Sequence, residues 1–298
     1  MKLSLFYDHV TILDYAYLDT ELGPVGDSLV VNVEFVGRTD SEGVIYDFSY
    51  AKKKVKEIID RDCDHRLVVP RGATERKDEL VILNYEFKSG GSIHYRAPEQ
   101  SICEIPFEQI TLENLTKYLE EIVLNEMPDT VEKVNLTLLE EEKSNNHIYF
   151  RYTHGLREHY GNCQRLLHGH RSTFKLYFDG KRDFEKEVAW VKEHLTDTIH
   201  FAYWENVTNQ TEILAALDGR RPVGRYEDLP NIELKYSSNQ GEFELSISSS
   251  LVYLIAIETT VENLSTHFCQ EIKGDYQGKG DVSVHAFEGI GKGAITTL

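Results

Sequence analysis

The reactive side chains of this 298-residue chain crowd into one short stretch, residues 150–170 (FRYTHGLREHYGNCQRLLHGH). His168 and His170 are separated by a single residue in a segment that reads as a strand, and strand periodicity turns both imidazoles to the same face. A third histidine, His154, lies on the preceding strand-like segment, which an antiparallel pairing would bring alongside; His159 competes with it on spacing alone. Three neutral imidazoles with no fourth protein ligand make a catalytic type of zinc site, with one position open to water or substrate. Cys163 sits in a Gly-Asn-Cys loop just before the pair. A free thiol titrates near pKa ~8.5, so it needs a metal or a cation beside it to act as a base at neutral pH.

The elements that must position these groups repeat along the chain. Residues 25–37 (VGDSLVVNVEFVG) align without gaps on residues 168–180 (HGHRSTFKLYFDG), both alternating apolar and polar up to a turn glycine. An Asp-Phe pair follows each, Asp47-Phe48 and Asp183-Phe184. An Asp before a periodic run caps a helix, which predicts helices over 49–62 and 185–195. Thr111-Leu112-Glu113-Asn114 then matches Thr260-Val261-Glu262-Asn263, and each half closes on a strand ending in an acid, Glu140 and Glu288. The polar stretch 141–146 is the natural linker, dividing the chain into units 1–145 and 146–298. Each unit reads as strand, strand, helix, further strands, helix, strand. This α+β pattern places helices on one face of an antiparallel sheet, with edge strands that invite association.

Composition narrows the function. A formal net charge of −18 argues against non-specific nucleic-acid binding, which needs a basic surface. No apolar run approaches the roughly 18 residues needed to span a membrane, and the apolar stretch at residues 3–7 is too short for a secretory signal. Cys63, Cys103, Cys163 and Cys269 form no CxxC pair, so reduced thiols and a cytoplasmic location are expected.

Phe150-x-x-x-His154-x-Leu156, then Cys163, then His168-Gly169-His170 resembles the signature of the 6-pyruvoyl-tetrahydropterin and 6-carboxytetrahydropterin synthases. The resemblance favours His154 over His159, because only His154 stands four after a Phe and two before a Leu. It implies two tandem tunnelling-fold (T-fold) domains that oligomerise into a barrel. It also implies zinc on His154, His168 and His170, with Cys163 as catalytic base. Asp64-His65, in the first half, takes the place of the family's catalytic Asp-His pair. Glu262 and Glu288 match positions that grip the pterin ring. Glu113 and Glu140 hold the same places in the first half, as leftovers or as part of a second ligand site.

The first half has lost the metal set: the frame Ile12-x-x-x-Ala16-x-Leu18 puts Ala16 at the first histidine, and Val25 and Asp27 replace the other two. The second half lacks the Asp-His pair, since the same count past Phe184 reaches His200-Phe201. These complementary losses predict one active site shared between a first-half and a second-half domain, in the same chain or in neighbouring ones. Alternating domains then favour a homodimer or a tetramer. The implied activity is a zinc-dependent carbon–oxygen or carbon–carbon lyase acting on 7,8-dihydroneopterin triphosphate or a related pterin. Elimination would give 6-pyruvoyl-tetrahydropterin; side-chain cleavage would give 6-carboxytetrahydropterin, a deazapurine precursor. The rival reading is a non-catalytic pterin- or zinc-binding module. Arg165 and Arg171 flank the metal motif, where they would meet phosphate or simply face solvent.

Overall fold

The computed structural model describes residues 3–141, 146–195, 199–276, 278 and 280–298. Most of the expected linker, residues 142–145, lies outside the described residues. The first half contains β1 (Leu3–Asp19), β2 (Gly23–Gly37), α1 (Phe48–Asp62), β3 (Leu67–Pro70), β4 (Thr74–Lys77), β5 (Leu80–Glu86) and β6 (Ser92–Pro98). It ends with β7 (Ile102–Ile105), α2 (Leu112–Leu124) and β8 (Val131–Leu139). The second half runs β9 (Ile148–His154), β10 (His168–Phe178), β11 (Lys181–Arg182), α3 (Phe184–His194), β12 (Ile199–Tyr203), α4 (Gln210–Leu217) and β13 (Gly224–Arg225). It closes with β14 (Ile232–Ser238), β15 (Gly241–Ile247), β16 (Val252–Ile255), α5 (Val261–Asp275), β17 (Val282–Phe287) and β18 (Gly293–Thr297).

Local chemistry sets the helix starts. Asp47 accepts from the Ser49 N–H at 2.9 Å and Asp183 from the Lys186 N–H at 3.1 Å, so each half opens its helix on the expected acid. In α1 the buried positions Ala51, Val55, Ile58 and Ile59 form one stripe. That stripe packs on Leu29, Val31, Val33 and Phe35, which alternate along β2 and face the helix layer. The mirrored arrangement in the second half buries Val191, Leu264 and Phe268 against Phe174 and Leu176.

Two backbone contacts help to weld the halves together. Strand β6 of the first half pairs antiparallel with β15 of the second, completing the sheet β14-β15-β6-β5-β4. Its core joins Val81 and Tyr95 to Tyr236 and Leu245. The other weld is a backbone contact between equivalent glycines. A Cβ on Gly26 would lie 2.0 Å from the Tyr152 carbonyl oxygen and 2.6 Å from the His170 nitrogen, and one on Gly169 would lie 2.5 Å from the Gly26 Cα. Backbone atoms cannot swing aside, so Gly26→Ala must push the halves apart. It should cost about 3 kcal/mol or more in urea denaturation. Gly274→Ala is the control, in helix α5 with nothing within 4 Å, and should gain up to about 1 kcal/mol. Equal effects from the two substitutions would show that the glycine contact does not hold the halves together.

Candidate active site

Strands β9 and β10 pair so that His154 stands opposite His168 and Tyr152 opposite His170. The three imidazoles are buried and offer ring nitrogens within 4.8 Å of one another. Ring centroids lie 4.3 Å (His154–His168), 5.3 Å (His154–His170) and 5.4 Å (His168–His170) apart. His154 Nδ1 donates to the Thr259 carbonyl at 2.9 Å and His168 Nδ1 to the Arg165 carbonyl at 2.8 Å. A carbonyl only accepts, so these partners assign the hydrogen to Nδ1 and leave Nε2 as the lone-pair nitrogen. Burial, reinforced by the neighbouring imidazoles, holds the pKa of His154 and His168 well below the usual imidazole value, so both are neutral. The Nε2 atoms of His154, His168 and His170 are all buried without a hydrogen-bond partner. Each such orphan costs about 1–3 kcal/mol. A zinc ion among them would satisfy all three, so the residues present fit the metal.

Asp14 of β1, a residue not singled out in the sequence, faces the histidine trio from the first half. Its Oδ1 lies 3.3 Å from His170 Nδ1 and accepts from Ser28 Oγ at 2.5 Å, while Lys292 Nζ donates to Oδ2 at 3.0 Å. Burial works against the Asp14 charge, but His170, Lys292 and Ser28 outweigh it and hold the carboxyl well below the usual carboxylate range. Its backbone takes part as well: the N–H donates to Asp64 Oδ1 at 3.0 Å and the carbonyl accepts from the His65 N–H at 2.7 Å. A carboxylate behind a metal-binding histidine orients the ring and raises its basicity. Asp14→Asn should therefore weaken zinc binding about 10–100-fold in a chelator competition. Unchanged affinity would leave Asp14 a purely structural residue.

Cys163 occupies a 3₁₀ turn, Gly161–Gln164, in the loop between β9 and β10. Leu156 N–H donates to the Cys163 carbonyl at 2.9 Å. Tyr236 and Tyr95, both from the sheet shared by the halves, donate to the carbonyls of Gln164 at 2.6 Å and Leu166 at 2.5 Å. That sheet thus fixes the loop. Cys163 is partly exposed, whereas Cys63, Cys103 and Cys269 are buried.

His65 meets Cys163 and His168 in a second cluster of possible ligand atoms within 4.8 Å, inside one chain. Its ring stacks on that of His168 with centroids 5.0 Å apart, and its Nδ1 is bonded to the Asp64 carboxylate. Burial would lower its pKa, but hydrogen bonds and charge from Asp64 and Cys163 override this and push it up to about 10. His65 and Leu167 both have left-handed backbones, φ 54° and 69°. Such conformations in non-glycine residues persist only where the surroundings hold them, and they gather at functional sites. For His65 the hold is its N–H bond to Asp14.

The remaining candidates are placed less evenly. Glu288 is half-buried beyond the end of β17, its N–H bonded to the Lys292 carbonyl at 3.1 Å. After burial, its charge is the next cause pushing the Tyr152 phenol pKa up, which puts it at the edge of the site. Glu262 stays exposed on the first turn of α5, just past the Thr259 that holds His154. His159 is exposed and bonds to the adjacent Tyr160 carbonyl, away from the histidine trio. The two arginines have other partners: Arg165 Nη1 donates to the Asp64 carbonyl at 3.3 Å, and the Arg171 guanidinium lies 4.0 Å over the Tyr149 ring.

Two expected correspondences are corrected by strand register. Tyr17, not Ala16, faces Val25 as His154 faces His168; Ala16 pairs with Gly26 as Thr153 does with Gly169. A one-residue offset moves a side chain to the opposite face of the sheet, so Ala16 points away from the position equivalent to His154. Likewise His200 pairs with Thr153 as Leu67 pairs with Ala16, which makes His200 the counterpart of Leu67 and not of the Asp-His pair. The count from Phe184 overshoots by three residues, across a segment in which α3 (11 residues) is shorter than α1 (15 residues). His200 is buried and bonded to Thr153 Oγ1 at 2.9 Å. The corrected count matches Asp64-His65 to Asp197-Thr198, outside the described residues.

A family model described as 6-pyruvoyl tetrahydropterin synthase matches residues 26–149 and, again, residues 143–296. The chain belongs to that family. Its model matches twice in succession, as the internal repeat requires. A putative 6-carboxy-5,6,7,8-tetrahydropterin synthase of Pyrococcus horikoshii is 26% identical over 125 residues, covering 42% of this chain and 73% of that protein. Among solved structures, 6-pyruvoyl tetrahydropterin synthase of Plasmodium vivax aligns at 16% identity with a TM-score of 0.39, over 48% of this chain and 94% of that one. The Plasmodium falciparum enzyme gives 16% and 0.38, over 47% and 91%. No helix among the described residues is long and apolar enough to cross a membrane.

Proposed function

We propose that this chain is a zinc-dependent pterin lyase acting on 7,8-dihydroneopterin triphosphate or a close relative, with an active site built from both halves of one chain. The observation that carries the reading is the convergence of three orphaned histidine Nε2 atoms with Cys163, His65 and Asp64. His154, His168 and His170 would hold the metal. A zinc ion there supplies Lewis acidity that polarises substrate oxygens and acidifies the adjacent C–H bonds. Cys163 removes and returns the proton. His65, carrying its own proton at neutral pH, stands against the thiol as the cation that thiolate chemistry needs, and Asp64 fixes its ring through Nδ1. Glu288 offers two carboxylate oxygens to the N–H donors of a pterin ring, with Glu262 as the second anchor at the rim. A reducing, cytoplasmic setting suits such a thiol. A dimer or tetramer covering the edge strands β7 and β8 is the assembly we propose.

Cys163→Ala separates this reading from a non-catalytic binding module. It should abolish turnover while leaving zinc in place, whereas in a module that merely binds, the variant would behave as the parent does. Iodoacetamide gives an independent check: it should label Cys163 ahead of the three buried thiols, with loss of turnover and retention of zinc. Full activity after stoichiometric labelling at Cys163 would remove that residue from the chemistry.

A further inference from the structure

The internal repeat leaves a second pocket. Asp14 pairs with Ser28 and Arg151 with Arg171 across equivalent strand pairs, so Arg151 is in the second half what Asp14 is in the first. Each reaches across to the other half: Asp14 Oδ1 lies 3.3 Å from His170 Nδ1, and Arg151 Nε lies 4.0 Å from Asp27 Oδ1. Asp27 is the first-half counterpart of His170. The two contacts are therefore images of one another about the Gly26–Gly169 contact. Around Asp27 opens a cavity of about 320 Å³, lined by Tyr15, Tyr17, Thr111, Glu140 and Arg151. That is within the usual size of a small-molecule site.

We infer that this cavity is a second, metal-free binding site for a small planar heterocycle whose edge carries an acceptor beside N–H donors, as an aminopyrimidinone does. Tyr17, Val25 and Asp27 stand where the other half has three histidines, so no metal set exists here. Among the described residues, Asp19, Asp27 and Glu140 outnumber Arg151, whose Nη2 donates to Glu140 at 3.4 Å, and the Arg171 guanidinium, whose Nη2 lies 4.0 Å from Glu140. The balance is negative, which repels a phosphate-bearing ligand and attracts N–H donors. Arg151 Nε is buried and makes no hydrogen bond, so it calls for an acceptor next to those donors. Burial pushes the Asp27 carboxyl up despite Arg151, and a ligand donor would relieve that cost. The Tyr15 and Tyr17 rings, with centroids 6.1 Å apart, supply an aromatic wall for a flat ring.

This pocket lies outside the lyase centre, and only the second neopterin equivalent, at Glu288, rests on the lyase reading. Calorimetric titration of the intact, zinc-loaded chain with neopterin and, separately, with guanosine tests it, since both probes carry the required edge. We expect a site for at least one probe that Glu140→Gln and Asp27→Asn each weaken roughly tenfold or more. Zinc content, unchanged in both variants, serves as the folding check. For neopterin we expect about two equivalents per chain, one sensitive to Glu140→Gln and the other to Glu288→Gln. Neopterin binding sensitive only to Glu140→Gln would support this pocket and contradict the role given to Glu288. Binding of both probes that is indifferent to Glu140→Gln and Asp27→Asn, or no binding at all, would overturn the inference.

Discussion

Replacing His168 and His170 together by alanine should take bound zinc from about one equivalent per chain to nearly none, and turnover with it. Two of three ligands are gone, and a single imidazole does not hold the metal against buffer. The first half cannot compensate, because Tyr17, Val25 and Asp27 occupy the equivalent positions. The effect should extend to stability. Zinc at a thousand times its Kd adds about 4 kcal/mol to any protein that binds it only when folded. Zinc should therefore raise the Tm of the parent chain and leave the double variant's unmoved. Elemental analysis decides the count: two equivalents in the intact chain would contradict a metal-free first half.

Mixing inactive His65→Ala chains with inactive Cys163→Ala chains should restore no activity, even after verified subunit exchange. His65 and Cys163 approach one another within a single chain, alongside His168. A mixed oligomer would then contain only sites lacking one or the other group. The loss in each parent should be large, since residues acting as one unit are each close to indispensable. Recovery of even a modest fraction of parental turnover would place the working site between chains.

Much of this arrangement is legible before folding. The duplicated strands, the Asp47 and Asp183 caps and the histidine trio all rest on local chemistry: strand alternation, capping and ligand spacing. What escapes is set by register and by long-range contact. Nothing near Tyr17 announces that it, and not Ala16, faces Val25; that follows from where β1 meets β2. The shorter α3 brings β12 forward, so a count from Phe184 lands on His200 and passes the true counterparts of Asp64-His65. Asp14 bore one available signal, a lone acid among the apolar residues Ile12, Leu13 and Tyr15, but its partner His170 is far along the chain. The sheet that positions the Cys163 loop draws on β6 and β15 from different halves, a pairing that no periodicity within either half encodes.

The most direct measurement is incubation of the zinc-loaded chain with 7,8-dihydroneopterin triphosphate, with products identified by mass. Conversion to a 6-pyruvoyl- or 6-carboxytetrahydropterin is expected, abolished by Cys163→Ala with zinc still bound. Recovery of unchanged substrate from fully zinc-loaded protein, or conversion that survives Cys163→Ala, would contradict the lyase reading.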